Sequence, residues 1–333
     1  MEPVKLEESR YAEWADIVGK RIKEGQVVIC PTDTVYGIVA DGLNEKACQR
    51  IYTIKQREKS KPLVGFIPDI KTASRFAVFP QQYLPLVEKS WPGPVTFILS
   101  ARENLPYLTS EKKEIGLRIP NHPFLQKLLP LIGLCASTSA NISSQPDASS
   151  VEEISSRVTQ AVDLVLDGGR LCGQASSIWN LAGERPILVR GLVLFICEGN
   201  SCRSPMAECL LRQKLETSAI RVTSAGLKVS YGGSLSEKTV QVLNEAGIGI
   251  FSFFTRPVTT DLLRKADLVF VMEESQKRYL EGIFPLTGEK VRSLDIQDPA
   301  GGDLEQYRKT LKEINEAVEK KVLPHLFLQR RNK

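Results

Sequence analysis

Cys197-Glu198-Gly199-Asn200-Ser201-Cys202-Arg203-Ser204-Pro205 sets a thiol and a guanidinium six positions apart in one short stretch. In a chain with seven cysteines that spacing alone is common. Its setting makes it informative. The cysteine ends the apolar run Leu192 to Ile196, Gly199 loosens the loop, and Ser204-Pro205 opens a helical stretch with proline in a favoured first-turn position. A strand-loop-helix turn points successive backbone N–H groups inward, and the helix N-terminus adds a positive end, so the loop suits phosphate. The same field favours the ionised form of a thiol at the loop start. Arg203 can grip two phosphate oxygens in a fork that tightens in the transition state. Asn200 is placed to prop the loop, and the Ser204 hydroxyl to donate to the thiolate. Attack by a thiolate also needs an acid for the leaving group. Asp298, in Asp295-Ile296-Gln297-Asp298-Pro299-Ala300-Gly301-Gly302, stands just before the last helical stretch. It can protonate the leaving group and then take a proton from the hydrolytic water.

The first half holds its polar residues in scattered clusters. They are Pro31-Thr32-Asp33-Thr34-Val35-Tyr36-Gly37, Lys55-Gln56-Arg57-Glu58-Lys59-Ser60-Lys61-Pro62-Leu63, Gly116-Leu117-Arg118-Ile119-Pro120, Ser137-Thr138-Ser139-Ala140-Asn141, Ser176-Ser177 and Arg190-Gly191. Hydroxyls and cations beside apolar strands describe a groove for a polyanionic nucleotide and a small zwitterion. A basic run such as Lys55 to Lys61 serves equally well as a solvated helix end. No Gly-x-x-x-x-Gly-Lys loop occurs, which excludes a P-loop site.

The elements that must position these groups follow from apolar patterning. In the first half, helices are expected near 10–25, 44–56, 121–129 and 151–161. Strands are expected at 27–30, 63–67, 95–99, 115–119, 131–136, 164–166 and 187–190. Strands and helices do not alternate strictly, so a mixed sheet is expected. From Leu192 the alternation is cleaner: strand, helix 204–217, strand 221–225, helix 236–246, strand 268–272, helices 274–281 and 303–323. That is the pattern of a doubly wound parallel sheet. Two domains, 1–191 and 192–333, account for a chain of 333 residues.

Bulk composition narrows the class. Apolar residues make up 42% and charged residues 25%, ordinary for globular protein. The N-terminus is acidic, no apolar run has membrane-span length, and a cytoplasmic protein that avoids membranes is expected. The odd, irregular cysteines argue against a disulfide framework. The only histidines are His122 and His325, so a structural zinc site is not expected and no metal ligand is assigned. Proton transfers then fall to carboxylates, lysines or substrate groups. A net charge of +5, shared between the halves, does not describe a body that binds nucleic acid by charge alone.

Residues 192–325 resemble the low-molecular-weight protein phosphatase family. The resemblance lies in VLFICEGNSCRSPMAE, TSAG at 223–226, ADLVFVM at 266–272 and DPAGG at 298–302. It implies Cys197 as nucleophile, Arg203 as phosphate clamp and Asp298 as general acid/base, with Asn200, Ser201, Cys202 and Ser204 supporting the loop and no cofactor. Cys202 matches the family's neighbouring thiol, which can form a reversible protective disulfide with Cys197. Tyrosine phosphatases of this family usually carry a bulky aliphatic residue where Ser201 stands and aromatics after the Asp-Pro. The family's protein-arginine phosphatases resemble this chain in a small hydroxyl residue and Gly-Gly. Phosphoarginine and phosphotyrosine therefore compete as substrates, with Phe251, Phe253 or Phe254 available as an aromatic wall.

Residues 10–191 resemble the YrdC-like threonylcarbamoyl-AMP synthase family, through PTDTVYG, the Lys-x-Arg followed by SKPL, WPGPVT at 91–96, LRIP and TSAN. The resemblance implies a twisted open α/β sheet with a concave groove. The implied reaction takes L-threonine, bicarbonate and ATP, with Mg²⁺, to threonylcarbamoyl-AMP for tRNA modification, so tRNA or tRNA-modification proteins are implied partners. Lys55, Arg57, Ser139 and Asn141 then form the quartet that handles ATP and carboxylate. Thr34, Arg118, Thr138 and Ser177 are expected near threonine, and Lys61 and Arg190 near the nucleotide. Gln56-Arg57-Glu58 departs from the family's Gly-Arg-Pro, which predicts a looser loop. A bifunctional enzyme is expected; the alternative is a nucleotide- or RNA-binding module fused to an active phosphatase.

Overall fold

The computed structural model describes residues 2–58, 60–215, 219–250, 253–284 and 290–326. The chain forms two compact units, Met1–Pro186 and Ile187–Lys333.

The strands of the first unit are β1 (Val4–Lys5), β2 (Val28–Cys30), β3 (Gly37–Asp41), β4 (Val64–Phe66), β5 (Ala77–Val78), β6 (Val95–Ala101), β7 (Glu114–Arg118), β8 (Cys135–Ser139), β9 (Leu164–Asp167) and β10 (Ser177–Asn180). Its helices are α1 (Tyr11–Lys23), α2 (Glu45–Lys55), α3 (Ile70–Phe76), α4 (Leu84–Ser90), α5 (Pro123–Ile132) and α6 (Ser156–Ala161). The strand order is β1-β9-β2-β3-β8-β4-β7-β6-β10, with β5 on β6. β2 pairs parallel to β9 but antiparallel to β3, and β8 lies antiparallel to both β3 and β4. The expected mixed sheet is present.

Both faces of this sheet are covered, which explains the near-continuous apolar runs. Val28, Cys30 and Val39 pack with Val18 and Ile22 of α1 and Leu128 and Leu129 of α5. Their neighbours Val27, Ile29, Ile38 and Ala40 turn to the opposite face and meet Ile51 and Ile54 of α2. Each such buried branched side chain contributes roughly 1.5–3 kcal/mol. Asn44 caps α2 by accepting from the Ala47 N–H at 3.1 Å, which fixes where the helix carrying Lys55 begins.

Two expectations fail at ends. Leu131 and Ile132 belong to α5, not to a strand; Gly133, at φ +90°, ends the helix and β8 starts only at Cys135. A short apolar run does not reveal its own period, and helix and strand are then indistinguishable. The expected helix over 151–161 is a 3₁₀ turn at Val151–Glu153 followed by α6.

The second unit contains β11 (Ile187–Cys197), β12 (Ile220–Gly226), β13 (Leu268–Val271) and β14 (Val291–Ser293), all parallel in the order β12-β11-β13-β14. Its helices are α7 (Arg203–Lys214), α8 (Glu237–Glu245), α9 (Thr260–Lys265), α10 (Glu274–Ile283) and α11 (Leu304–Ala317), the last continuing as a π-helix over Val318–Val322. The strand expected to close the first half, 187–190, is the start of β11. Gly191, the last residue of the expected first domain, pairs with Ile220 within the strand. A Cβ there would stand 2.3 Å from the Asp267 carboxylate, whose Oδ2 accepts from the Leu192 N–H at 2.8 Å. Glycine is required by that close approach, not by a turn.

β11 is flanked by β12 on one side and β13 on the other, so its C-terminal end is the switch point of the sheet. Loops at such an end form the crevice in which open α/β sheets bind ligands. Cys197 is the last residue of β11.

Candidate functional sites

In the first unit, Lys55 is the final residue of α2 and is buried. Its Nζ donates to the Ser139 carbonyl at 2.5 Å, the Asn141 carbonyl at 2.7 Å and Asn141 Oδ1 at 2.6 Å. Ser139 Oγ donates to the same Oδ1 at 2.7 Å, and Asn141 Nδ2 donates to the Gln145 carbonyl at 2.5 Å. Burial first, and then the charge of Arg57, lower the Lys55 pKa to about 7. The amine therefore stands near its protonation midpoint at neutral pH.

Arg57 is turned elsewhere. Its Nε donates to the Lys61 carbonyl at 2.8 Å and its terminal nitrogen to the Pro62 carbonyl at 2.9 Å, folding the loop after α2. Three of the expected quartet thus touch, and Arg57 shapes the loop beside them. Gln56 holds φ at +53°, a left-handed conformation that favours glycine. With its amide turned so that the oxygen faces Arg157, the guanidinium nitrogens lie at 2.5 and 2.7 Å, a contact that ties the loop to α6. Lys61 is exposed and pairs with Glu58 at 3.1 Å.

A second cluster forms around Arg118, buried at the end of β7. Nε donates to the Gly93 carbonyl at 3.0 Å, one terminal nitrogen to Thr34 Oγ1 at 3.2 Å, and the other pairs with Asp33. Thr32 Oγ1 gives its only proton to the Val35 carbonyl at 2.7 Å, so Thr34 Oγ1 must donate to Thr32 across 2.9 Å. Thr34 is thereby left as an acceptor for Arg118. Ser177 opens β10 and donates its N–H to the Pro94 carbonyl at 2.9 Å, which ties it to the same Pro-Gly-Pro segment. Thr138 lies on β8 between Ser137 and Ser139 and, by strand alternation, on the opposite face from both. Arg190 lies on β11, in the second unit. Asp33 is the functional residue missed here: its motif was noted, but a carboxylate beside a buried arginine is visible only once β7 and the 31–36 loop meet.

The second unit builds its site at the end of β11. Cys197 Sγ lies 3.0 Å from Ser204 Oγ. Asn200, at φ +48°, is buried; its Nδ2 donates to Ser204 Oγ at 3.1 Å and Ser224 Oγ at 2.9 Å. Its Oδ1 accepts from the Arg256 N–H at 3.0 Å. Asparagine tolerates the left-handed region and is here bonded on both ends. Gly226 lets the chain pass: a Cβ there would sit 3.0 Å from the Glu198 carbonyl and 3.1 Å from Asn200 Cβ. Ser201 is half-buried, its carbonyl accepting from the Ser236 N–H at 3.0 Å. Cys202 is buried at the head of α7, and burial pushes its thiol up to about 12. Both thiols are free, and Cys202 is kept in the neutral form at ordinary pH.

Arg203, 2% exposed, carries two carboxylates. One terminal nitrogen pairs with Glu273 and donates to the Ile296 carbonyl at 3.0 Å; the other pairs with Asp298. Asp298 Oδ1 accepts from the Ala300 N–H at 3.0 Å, which orients the carboxyl. Among the described residues the Arg203 Nε–H has no acceptor. The edge formed by Nε and the Asp298-bound nitrogen is the one that an incoming anion can take in a fork. Glu273 escaped the sequence reading. The available signal was a carboxylate two residues past β13, at the same sheet end as the loop. Phe251 lies outside the described residues. Phe253 is half-buried, whereas Phe254 and Tyr231 are exposed on two segments joined by the Thr255 and Gly233 backbones.

Among the described residues no helix is long and apolar enough to cross a membrane. Residues 20–191 match the Sua5/YciO/YrdC family model, described as "Telomere recombination". Residues 192–330 match the model described as "Low molecular weight phosphotyrosine protein phosphatase". A Methanocaldococcus jannaschii protein with a provisional threonylcarbamoyl-AMP synthase name is 36% identical over 188 residues, 56% of this chain and 88% of that protein. The Bacillus subtilis threonylcarbamoyl-AMP synthase is 31% identical over 174 residues; the match covers 51% of this chain and 50% of that enzyme. The solved structure of Escherichia coli YciO is 27% identical with a TM-score of 0.51, covering 54% of this chain and 89% of that one.

Proposed function

We propose, for a chain that belongs to the Sua5/YciO/YrdC family and continues into a low-molecular-weight phosphatase domain, that one polypeptide carries two enzymes. The first makes threonylcarbamoyl-AMP from L-threonine, bicarbonate and ATP, with Mg²⁺ accompanying the nucleotide and tRNA modification as its context. The second removes phosphate from protein through a cysteinyl-phosphate intermediate. The observation that supports the pair most directly is convergence. Lys55 meets Ser139 and Asn141, and Arg203 meets Asp298, across long stretches of sequence.

In the synthase, Lys55 faces phosphate charge as pyrophosphate leaves, Ser139 and Asn141 hold the lysine in place, and Arg57 shapes the loop beside it. Arg118 and Thr34, with Thr138 and Ser177, hold the threonine, while Lys61 serves the nucleotide. In the phosphatase, the Cys197 thiolate attacks phosphorus as the bond to the leaving group breaks. Asp298 protonates that group. Water then attacks the thiophosphate, Asp298 takes its proton, and the thiolate is restored. Arg203 trades Asp298 for phosphate oxygens, which frees the acid for its role.

Phosphoarginine is the better-supported substrate. Ser201 offers a hydroxyl, Ala300 and Gly301 supply no aromatic ring after Pro299, and Glu273 with Asp298 places two half-exposed carboxylates where a cationic leaving group is welcome. Exposed Tyr231 and Phe254 favour the second reading, phosphotyrosine. Parallel kinetics on phosphoarginine and phosphotyrosine peptides test this, and a clear phosphotyrosine preference sinks the arginine reading. For the first unit, ATP, L-threonine and bicarbonate should yield pyrophosphate. RNA binding without pyrophosphate would favour the module alternative.

A further inference from the structure

Lys238 is the second residue of α8, is exposed, and has no part in the mechanism above. Its Nζ donates to the Gly302 carbonyl at 2.5 Å and stands 5.7 Å from the centroid of the buried Tyr307 ring on α11. Gly302 closes the turn that carries Asp298, its N–H on the Pro299 carbonyl at 2.9 Å. The lysine therefore crosses from α8 to the loop that holds the general acid. The start of α8 is also tied to the phosphate loop. Ser236 caps the helix by accepting from the Thr239 N–H at 3.2 Å, and its own N–H goes to the Ser201 carbonyl at 3.0 Å. One turn of helix thus sets the acid loop against the cradle.

Few bonds hold the acid loop. Its flanks are fixed: the Ile296 N–H donates to the Met272 carbonyl at 2.7 Å, and Asp303 caps α11. Between them, among the described residues, 297–302 makes two hydrogen bonds outside itself. They are Asp298 to Arg203 and Gly302 to Lys238. The Ala300 N–H on Asp298 Oδ1 and the Gly302 N–H on Pro299 lie within the loop and move with it. Arg203 gives up Asp298 when phosphate takes its place. The Lys238 bond is then the remaining tie, at the moment when Asp298 must face the leaving group. A bond from an exposed ammonium adds little to overall stability, so its weight falls on where the loop sits.

We propose that Lys238 is a positioning residue for Asp298: its bond to the Gly302 carbonyl keeps the acid loop against the cradle after phosphate has displaced Asp298 from Arg203. The consequence for catalysis rests on the phosphatase reading, whereas the hold on the loop does not, and the two are read separately.

Lys238→Met keeps a long stem beside Tyr307 and removes the donor. For the full chain, kcat/KM is compared on phenyl phosphate, whose leaving group is strongly basic and needs a proton, and on p-nitrophenyl phosphate, whose leaving group needs one far less. The variant should lose about tenfold on the first, the size of one charged hydrogen bond at an exposed site, and about threefold or less on the second. Lys238→Arg should restore most of the rate. An equal loss on both esters, or none, overturns the proposal. Hydrogen exchange across 297–303 is followed by mass spectrometry in saturating inorganic phosphate, which occupies Arg203. Lys238→Met should exchange there about fivefold faster than the wild type, and equal exchange likewise overturns the proposal. Should the wild-type chain hydrolyse neither ester, the phosphatase reading falls, and the exchange comparison alone decides whether Lys238 holds the loop.

Discussion

The two candidate sites are assembled in opposite ways. In the second unit, most of the machinery lies within the eight positions from Cys197 to Ser204, and one strand-loop-helix turn presents it. In the first, Lys55 waits on Ser139 and Asn141, and Arg118 waits on Thr34, each partner more than 80 positions away. A local loop carries its geometry with it. A site made of distant strands exists only while the sheet between them holds its register. Damage to the first unit's core should therefore reach its site, whereas the cradle should respond mainly to changes in its own loop and in the groups that Arg203 touches.

The largest expected effect sharpens that contrast. Cys197→Ser should abolish phosphopeptide hydrolysis and leave pyrophosphate release from ATP unchanged, measured on one preparation. Loss of both activities would mean that the units are not independent. Asp298→Asn comes next. It removes the leaving-group proton, and kcat should fall by about 10²–10⁴-fold. A poorly basic leaving group such as p-nitrophenol should narrow the loss, and an equal loss on all leaving groups would argue that Asp298 only holds Arg203.

Asp33→Asn probes the distributed site. The Asp33–Arg118 pair has side-chain exposures of 11% and 4%, and breaking such a pair costs about 3 kcal/mol. Urea unfolding of the first unit should register the loss, and threonine KM should rise with it. A stable variant with normal KM would show that Arg118 needs no partner. Lys55 gives a pH signature. With its pKa lowered to about 7, the ammonium is complete at lower pH and is lost as pH rises through that value. The free-enzyme quantity kcat/KM for ATP should therefore fall about tenfold per unit above pH 7, and Lys55→Arg should flatten the fall. A profile level to pH 9 would contradict it. The smallest effect is at Gln56. Glycine relieves a left-handed φ of +53° but forfeits the Arg157 contact and adds unfolded-chain entropy. Gln56→Gly should change stability by less than about 1 kcal/mol by thermal unfolding.

How much could be read beforehand differs between the sites for the same reason. Strand β11, the loop and the start of α7 are contiguous, so Asn200 as prop and Ser204 as neighbour of the thiol were legible from residue types alone. Glu273 was not, because its only link to Arg203 is spatial. In the first unit the motifs were visible but their pairings were not. Arg57 shares a motif with Lys55, but only the structure shows that it holds the Lys61 and Pro62 carbonyls and that Lys61 sits on Glu58. Likewise Leu131 and Ile132, apolar and short, were indistinguishable from a strand until α5 was found packed on α1.

Residue order by itself determined the two-part architecture, the parallel character of the second sheet and the nearness of Cys197, Asn200 and Ser204 in one loop, because these depend on apolar periodicity and on contacts within one turn of chain. Only the tertiary structure decided which carboxylates face Arg203, that Asp33 anchors Arg118, and that β11 runs unbroken through Gly191. Those are contacts between residues far apart in sequence, and which of them form depends on sheet register and buried packing, which no local pattern encodes.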